Sequence, residues 1–297
     1  MRKSFLIISW ILLLAGIQFC FAAGNTGLSF LKIGAGARAS AMGEAFVGRS
    51  DDASGLFWNP AGVTALDNPQ AHFTYNRWIQ DIKHSSASAV WPTRKGAIGL
   101  TSILTTVEGI EKRIVASEEP IGEIAAQDFT IGLGYSHRLT KRFSAAVHIK
   151  YLYEKLDVET AHGFAVDLGV IYALNVPGLK IGAVVQNFGK TSEMRRESID
   201  LPKIMRFGAS YETLDKQLCL NLDFVHIVDE KSHINGGVEY KLMNLLVLRC
   251  GYQSNYEERS ISAGFGFDVQ VARLDYAYVP FQSDLGNSQR FTILFNF

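Results

Sequence analysis

"FTIGLGYSHRLTKRFSAAVHIKY", residues 129–151, is two alternating runs joined by a few turn residues. Phe129, Ile131, Leu133 and Tyr135 oppose Thr130, Gly132, Gly134 and Ser136. Phe143, Ala145, Val147, Ile149 and Tyr151 oppose Ser144, His148 and Lys150. Successive side chains of a strand point to opposite faces, so each run makes one apolar face and one small or polar face. The joining "LTKR" is short enough for an antiparallel hairpin.

The same period continues outward in both directions. It recurs at 164–172, 181–185, 205–211, 218–224, 234–242, 246–252, 261–267, 274–278 and 291–297, with less regular runs near 71–79, 84–91 and 96–106. The count is about fourteen strands. No run after the N-terminus reaches the roughly 18 apolar residues of a membrane-spanning helix, so a membrane-spanning reading requires a barrel. The connections alternate as a barrel predicts, with short periplasmic turns and longer external loops. "PTRKG", "LTKR", "NVPG", "TLDK", "MN" and "VQ" are short. "VEGIEKRIVASEEPIGEIAAQ", "EKLDVETAH", "NFGKTSEMRRESIDLP", "QSNYEER" and "VPFQSDLGNSQ" belong to the external set, although the external connections near Asp81 and Asp229 are brief.

Charges follow the same logic. His148, Lys150, Asp167, Arg206, Asp223, Glu239, Lys241, Arg249 and Asp275 all fall opposite the apolar faces. A charge facing lipid costs about 2–4 kcal/mol at the bilayer midplane, so these residues are expected to line a lumen. Cross-strand pairing, such as Asp223 with Arg206 or Lys241, is the expected use for them. A soluble exported β-sandwich also alternates, but it needs one sheet face in water, and here the second face is filled largely with Gly, Ala and Ser. The sequence therefore predicts an all-β, 14-stranded antiparallel transmembrane β-barrel.

The 297 residues carry 29 basic and 29 acidic side chains, a balance that excludes a polycationic nucleic-acid binder. "MRKSFLIISWILLLAGIQFCFAAGN" runs from Arg2 and Lys3 through an apolar core to small residues at Cys20 and Ala22, which predicts a signal peptide over 1–22. Gly16 and Gln18 interrupt the run, against a retained anchor, and Phe19 is too large for a lipoprotein cleavage site. Cys219 is placed on the polar face of its strand and Cys250 on an apolar face, so the two cannot meet disulfide geometry and are expected to be free thiols.

Residues 23–69 do not alternate. Gly34-x-Gly36 after an apolar run imitates a dinucleotide loop, but no βαβ unit follows. Ala37, Ala41 and Ala45 recur every four residues, as a close-packing helix face would. Asp51 or Asp52 can cap a short helix through Leu56, and Asn59 before Pro60 reads as a second cap. A self-capped helical unit of this size is expected to sit inside the barrel as a plug, its aspartates against lumenal Arg and Lys.

"GLSFLKIGAGARASAMGEAFVGRSDDASGLFWNPAGVTAL" resembles the N-terminal signature of the PorV/PorQ family of outer-membrane proteins, a branch of the FadL-like long-chain fatty-acid transporter superfamily. Gly34, Gly36, Arg38, Asp51, Asp52, Asn59, Pro60, Ala61 and Gly62 carry the likeness to the hatch of that superfamily. The resemblance implies a fourteen-stranded barrel with an N-terminal plug in the bacterial outer membrane. Phe291, Ile293, Phe295 and the terminal Phe297 resemble the strand read by the outer-membrane barrel assembly machinery. Implied partners are outer-membrane lipid, a type IX secretion translocon and secreted cargo proteins. The wider superfamily implies, as the alternative, a channel for a hydrophobic small molecule. No cofactor is expected. The seven histidines form no metal-binding spacing and no serine sits in Gly-x-Ser-x-Gly, so no enzyme is expected.

Overall fold

The computed structural model describes residues 27–113, 119–194, 200–213, 215–243, 245–269 and 271–297. The expected signal peptide lies outside these residues, as do the centres of the 107–127 and 187–202 external segments. Among the described residues, fourteen antiparallel strands close into a barrel: β1 (Gln70–Arg77), β2 (Lys83–Thr93), β3 (Gly96–Lys112), β4 (Gly122–Arg138), β5 (Phe143–Leu156), β6 (Glu159–Ala173), β7 (Leu179–Thr191), β8 (Ile204–Thr213), β9 (Leu218–Ile227), β10 (His233–Leu242), β11 (Leu246–Gln253), β12 (Ile261–Asp268), β13 (Ala272–Pro280) and β14 (Asn287–Asn296). Each strand pairs with its sequence neighbours, and β1 meets β14 with Phe73 opposite Ile293. Closure leaves no unpaired sheet edge, which is what a hydrocarbon environment demands.

The apolar faces point outward. Phe73, Leu100, Leu133, Ile149, Leu168, Leu222, Leu248 and Phe291 are all exposed, and a patch of rings runs through Phe267, Phe265, Tyr276 and Phe291 with centroids 5.0–5.7 Å apart. Cys250 lies on this outer surface and Cys219 is buried, both as free thiols.

The wall is taller on one side than the loop reading implied. β3 and β4 each have 17 residues while β11 and β12 have eight. A tilted membrane strand needs about 9–11 residues, so the β3–β4 and β5–β6 hairpins stand well clear of the apolar belt. Most of "VEGIEKRIVASEEPIGEIAAQ" and "EKLDVETAH" is therefore ladder, not loop: β3 continues to Lys112, and only Asp157 and Val158 separate β5 from β6. The missed signal is physical. These tips stand in water on both faces, so they lose hydrophobic alternation while keeping their cross-strand hydrogen bonds. Lys112 and Asp157 tie the two hairpins together at 2.6 Å.

Residues 27–66 fill the interior. The one α-helix among the described residues, α1 (Ala37–Ala41), is entirely buried, and 3-10 helices cover Ser29–Lys32, Ala53–Phe57 and Pro60–Ala65. The expected four-residue alanine stripe is cut short. Gly43 and Glu44 take positive φ (63° and 61°), which turns the chain before Ala45 can join the helix face. A Cβ at Gly43 would sit 2.8 Å from the backbone of Gly236 and Tyr252, so the turn presses directly on the wall. Ala37 and Ala41 do pack closely, against Ala277 of β13.

Candidate functional site

The two caps form as short 3-10 turns rather than α-helices. Asp52 accepts from the Ser54 amide at 3.0 Å, and Asn59 accepts from Ala61 at 3.2 Å with Pro60 in the first helical position. Barrel side chains meet the backbone groups that these short turns leave open. Ser88 donates to the Ala53 carbonyl, Ser136 to Pro60, Gln186 to Phe57, and Thr292 accepts from the Ala37 amide. Gly36 sits at the start of α1 with φ 86°, and Gly62 approaches Ser50 so closely that a side chain would collide with its backbone. Gly34 lies under the Trp58 ring, whose indole donates to the Ala35 carbonyl.

At the centre is a closed ring of alternating charge. Arg38 bonds Asp52 at 2.8 Å, Asp52 bonds Arg273 at 2.6 Å, Arg273 bonds Asp275 at 2.8 Å, Asp275 bonds Arg249 at 2.7 Å, Arg249 bonds Glu239 at 2.7 Å, and Glu239 returns to Arg38 at 2.8 Å. Two members come from the inner segment and four from β10, β11 and β13. Asp51 extends the ring, bonding Arg38 at 2.8 Å and Arg49 at 2.9 Å, and Arg49 reaches Glu212 at 3.0 Å. Burial alone would neutralise such groups. Here burial works against the charge on Asp52, but Arg273 and Arg38 overcome it and hold the carboxyl well below the usual carboxylate range. Burial likewise opposes ionised Asp51, and Arg38 and Arg49 lower it.

A second cluster surrounds Glu44. Arg259 approaches its carboxylate at 3.3 Å and Arg290 at 3.8 Å, and Arg290 also donates to the Gly34 carbonyl. Burial raises the Glu44 carboxyl, but Arg259, Arg290 and Arg206 bring it below its ordinary value. The Arg206 guanidinium lies 5.1 Å over the Trp58 ring.

The lumenal set is placed as follows. His148, Lys150, Asp167, Arg206, Asp223, Glu239, Arg249 and Asp275 are all buried inside, and Lys241 is half-buried at the mouth, 3.8 Å from Asp268. Lys150 bonds Asp167 at 2.7 Å and Asn187 at 2.5 Å, while His148 lies between Thr101 and Asp167. The suggested pairing of Asp223 with Arg206 or Lys241 does not occur. Asp223 instead accepts the Phe46 and Val47 amides at 2.8 and 2.9 Å, so the inner backbone takes the place of a cationic partner. Arg273, Glu44, Arg259 and Arg290 were not singled out from the sequence. Arg273 and Arg290 immediately precede the periodic runs 274–278 and 291–297, whose register extended by one residue turns them inward; Glu44 and Arg259 lie where there is no period.

Two cavities lie beside the inner segment. One, of about 40 Å³, lies between Ile33, Phe57 and Trp58 and the wall residues Thr130, His148, Lys150 and Asp167. The other is an outer vestibule of about 590 Å³ between Leu28, Phe30, Trp78, Tyr256 and Phe281. Lys32, Ile33 and Arg206 border both. Among the described residues, no group of three or more His, Cys, Asp or Glu is arranged to hold a metal ion.

The sequence profile of the family described as "Type IX secretion system protein PorV" matches residues 22–249. No curated protein sequence matches the chain. Among solved structures, the Pseudomonas putida toluene transporter TodX is similar with a TM-score of 0.64 at 12% identity, over 89% of this chain and 98% of that one. A Pseudomonas aeruginosa FadL homologue is similar with a TM-score of 0.58 at 12% identity, over 86% and 98%. At these identities the likeness establishes the fold.

Proposed function

Because this chain belongs to the PorV family of type IX secretion system proteins, we propose that it is a non-enzymatic partner in that secretion route. In this reading it is exported by a signal peptide over 1–22, inserted in the outer membrane, and closed by residues 23–69 acting as a plug. The observation that carries the proposal is the family match over most of the chain; the buried charge ring supports it. A ring of six ionic contacts, two of which join the inner segment to β10 and β13, suits a fixed closure better than a moving gate.

With the lumen closed, the working surface is the outer rim. The tall β3–β6 hairpins offer exposed Ile121 and Val158 beside the Lys112–Asp157 pair, a mixture of apolar and charged groups that suits recognition of translocon components or secreted proteins. Outward Phe291, Ile293 and Phe295, with Phe297 at the terminus, serve the barrel assembly machinery in this account.

Passage of a hydrophobic compound is the second reading, favoured by the outer vestibule and its apolar wall. It requires Ile33 and Arg206 to move aside, since they stand between the vestibule and the inner cavity. The test is affinity purification from native outer membranes. The tagged protein is expected to bring down a secretion translocon or secreted proteins, and a variant with both tall hairpins shortened is expected to lose them while keeping its barrel. Recovery of an acyl or aromatic compound, with no secretion component, favours the second reading.

A further inference from the structure

The rim that carries the short turns is strongly basic on one side. Arg94 and Lys95 form the β2–β3 turn, Arg138 ends β4, and Lys141 and Arg142 lie in the β4–β5 turn, all five exposed. The two turns touch, since the Arg138 amide donates to the Lys95 carbonyl at 2.6 Å. Neither turn contains an acid. Among the described residues no carboxylate, that of the exposed Asp67 on the linker to β1 included, forms an ion pair with any of the five. Arg138 donates to the Thr64 carbonyl and Arg142 to the Asn175 side chain, neutral partners that fix two guanidinium groups without cancelling their charge. Like charges gathered on one arc repel, so an anion supplied from outside stabilises it.

The neighbouring surface selects the anion. Trp91 of β2, Ile98 of β3 and Tyr135 of β4 occupy one register row, and all three are exposed on the outer face. Trp and Tyr rings mark the boundary between hydrocarbon and headgroups. The basic residues follow three positions further on, Arg94 after Trp91 and Arg138 after Tyr135, a rise of about 10 Å or less along a tilted strand. That is the level of the phospholipid phosphates. Elsewhere on the same rim the β10–β11 and β12–β13 turns expose Met243, Leu245, Val269 and Val271, apolar tips that seat this end of the barrel in the membrane surface. A soluble acidic protein would have to displace lipid to reach the arc, whereas a phosphodiester headgroup already lies beside it and matches the planar donors of a guanidinium. We propose that Arg94, Lys95, Arg138, Lys141 and Arg142 form a binding surface for the headgroups of anionic phospholipids in the periplasmic leaflet. The proposal needs the barrel in an outer membrane and stands apart from the secretion role.

The test uses the full barrel with its inner segment in an uncharged detergent, and native mass spectrometry with three probes: phosphatidylglycerol, phosphatidylethanolamine with the same acyl chains, and inorganic phosphate. Phosphatidylglycerol is expected to bind about tenfold or more tighter than phosphatidylethanolamine, since several basic groups act on one anionic headgroup, and the margin should shrink as salt rises. Arg94→Gln, Lys95→Gln, Lys141→Gln and Arg142→Gln together are expected to abolish that preference. These four lie in turns outside the strand ladders, so the barrel should still assemble. Removing four cations from the external rim, by Arg77→Gln, Lys83→Gln, Lys112→Gln and Lys231→Gln, is expected to leave the preference intact. Should the four-residue turn variant fail to assemble, the two lipids on the native protein and the Lys141→Gln, Arg142→Gln pair still decide. Equal binding of the two lipids overturns the proposal, as does a preference lost equally with the external set. Displacement of phosphatidylglycerol by an equal concentration of inorganic phosphate overturns it in favour of a free-anion site. Capture of an acidic periplasmic protein by the native chain but not by the turn variant, with the two lipids bound alike, assigns the surface to a protein instead.

Discussion

Asp52 and Arg273 meet at 2.6 Å across the boundary between the inner segment and β13. The same carboxylate oxygen takes Arg38 at 2.8 Å, and its other oxygen caps the Ala53–Phe57 turn through Ser54. One side chain thus shapes the inner segment and fastens it to the wall. A buried ion pair is no proof of added stability over an apolar contact, but removing one member leaves charges stranded.

Asp52→Ala is therefore expected to loosen the inner segment and spare the barrel. Stranding a buried arginine costs about 3–5 kcal/mol, and the lost cap adds roughly 0.5–2 kcal/mol, while no strand pairing is touched. The variant should keep its heat-dependent shift in SDS gel migration. Emission from Trp58, in a Trp78→Phe, Trp91→Phe background, should shift red, and small dyes should leak. An unchanged emission and dye barrier, or loss of the barrel itself, contradicts this.

Gly43→Ala tests the turn that stops α1. The residue has φ 63° and its Cβ would lie 2.8 Å from wall backbone. Overpacking of this kind costs about 1–3 kcal/mol, so the Trp58 transition is expected at lower temperature with the barrel transition unmoved. An equal Trp58 transition means the inner turn does not press on β10 and β11.

The lowered carboxyls of Glu44, Asp51 and Asp52 set the pH response. A carboxyl that titrates lower when docked than when free gives stability fully present above the free value, about pH 4, and lost as pH falls through the docked value. The docked segment is expected to hold from neutral pH to about pH 4 and to release only in stronger acid. Release between pH 5 and 7, followed by Trp58 emission, would rule out these carboxylates as the anchor.

The thiols report the two faces. Cys250 is on the outer surface, whereas Cys219 is buried with its sulfur 3.1 Å from Arg49 of the inner segment. A lipid-soluble maleimide is expected to label Cys250 in native membranes, and Cys219 should react only once the segment is released, for instance in Asp52→Ala. Equal labelling of both in the native protein contradicts this placement.

Period two made the barrel legible, because lipid outside and a filled lumen inside sort side chains strictly by face. Where that sorting ends, so does legibility: the tips of β3–β6 read as loops. The caps at Asp52 and Asn59 were readable because each acts on a neighbour two residues away. The charge ring was not, since Arg38 and Glu239 are 201 positions apart and nothing local states their register. Asp223 shows the further limit, as its partners are backbone amides that carry no side-chain signature.

The account centres on a closed barrel that works at its outer rim, and export of secreted proteins by living cells tests it most directly. Two variants are compared as the sole copy: one with the β3–β4 and β5–β6 hairpins cut back to the membrane belt, and Ile33→Trp, which fills the constriction between vestibule and inner cavity. Export is expected to fail with the trimmed rim and to persist with Ile33→Trp, both barrels being intact. Export that survives trimming and is lost with Ile33→Trp would contradict the account and assign the function to the lumen.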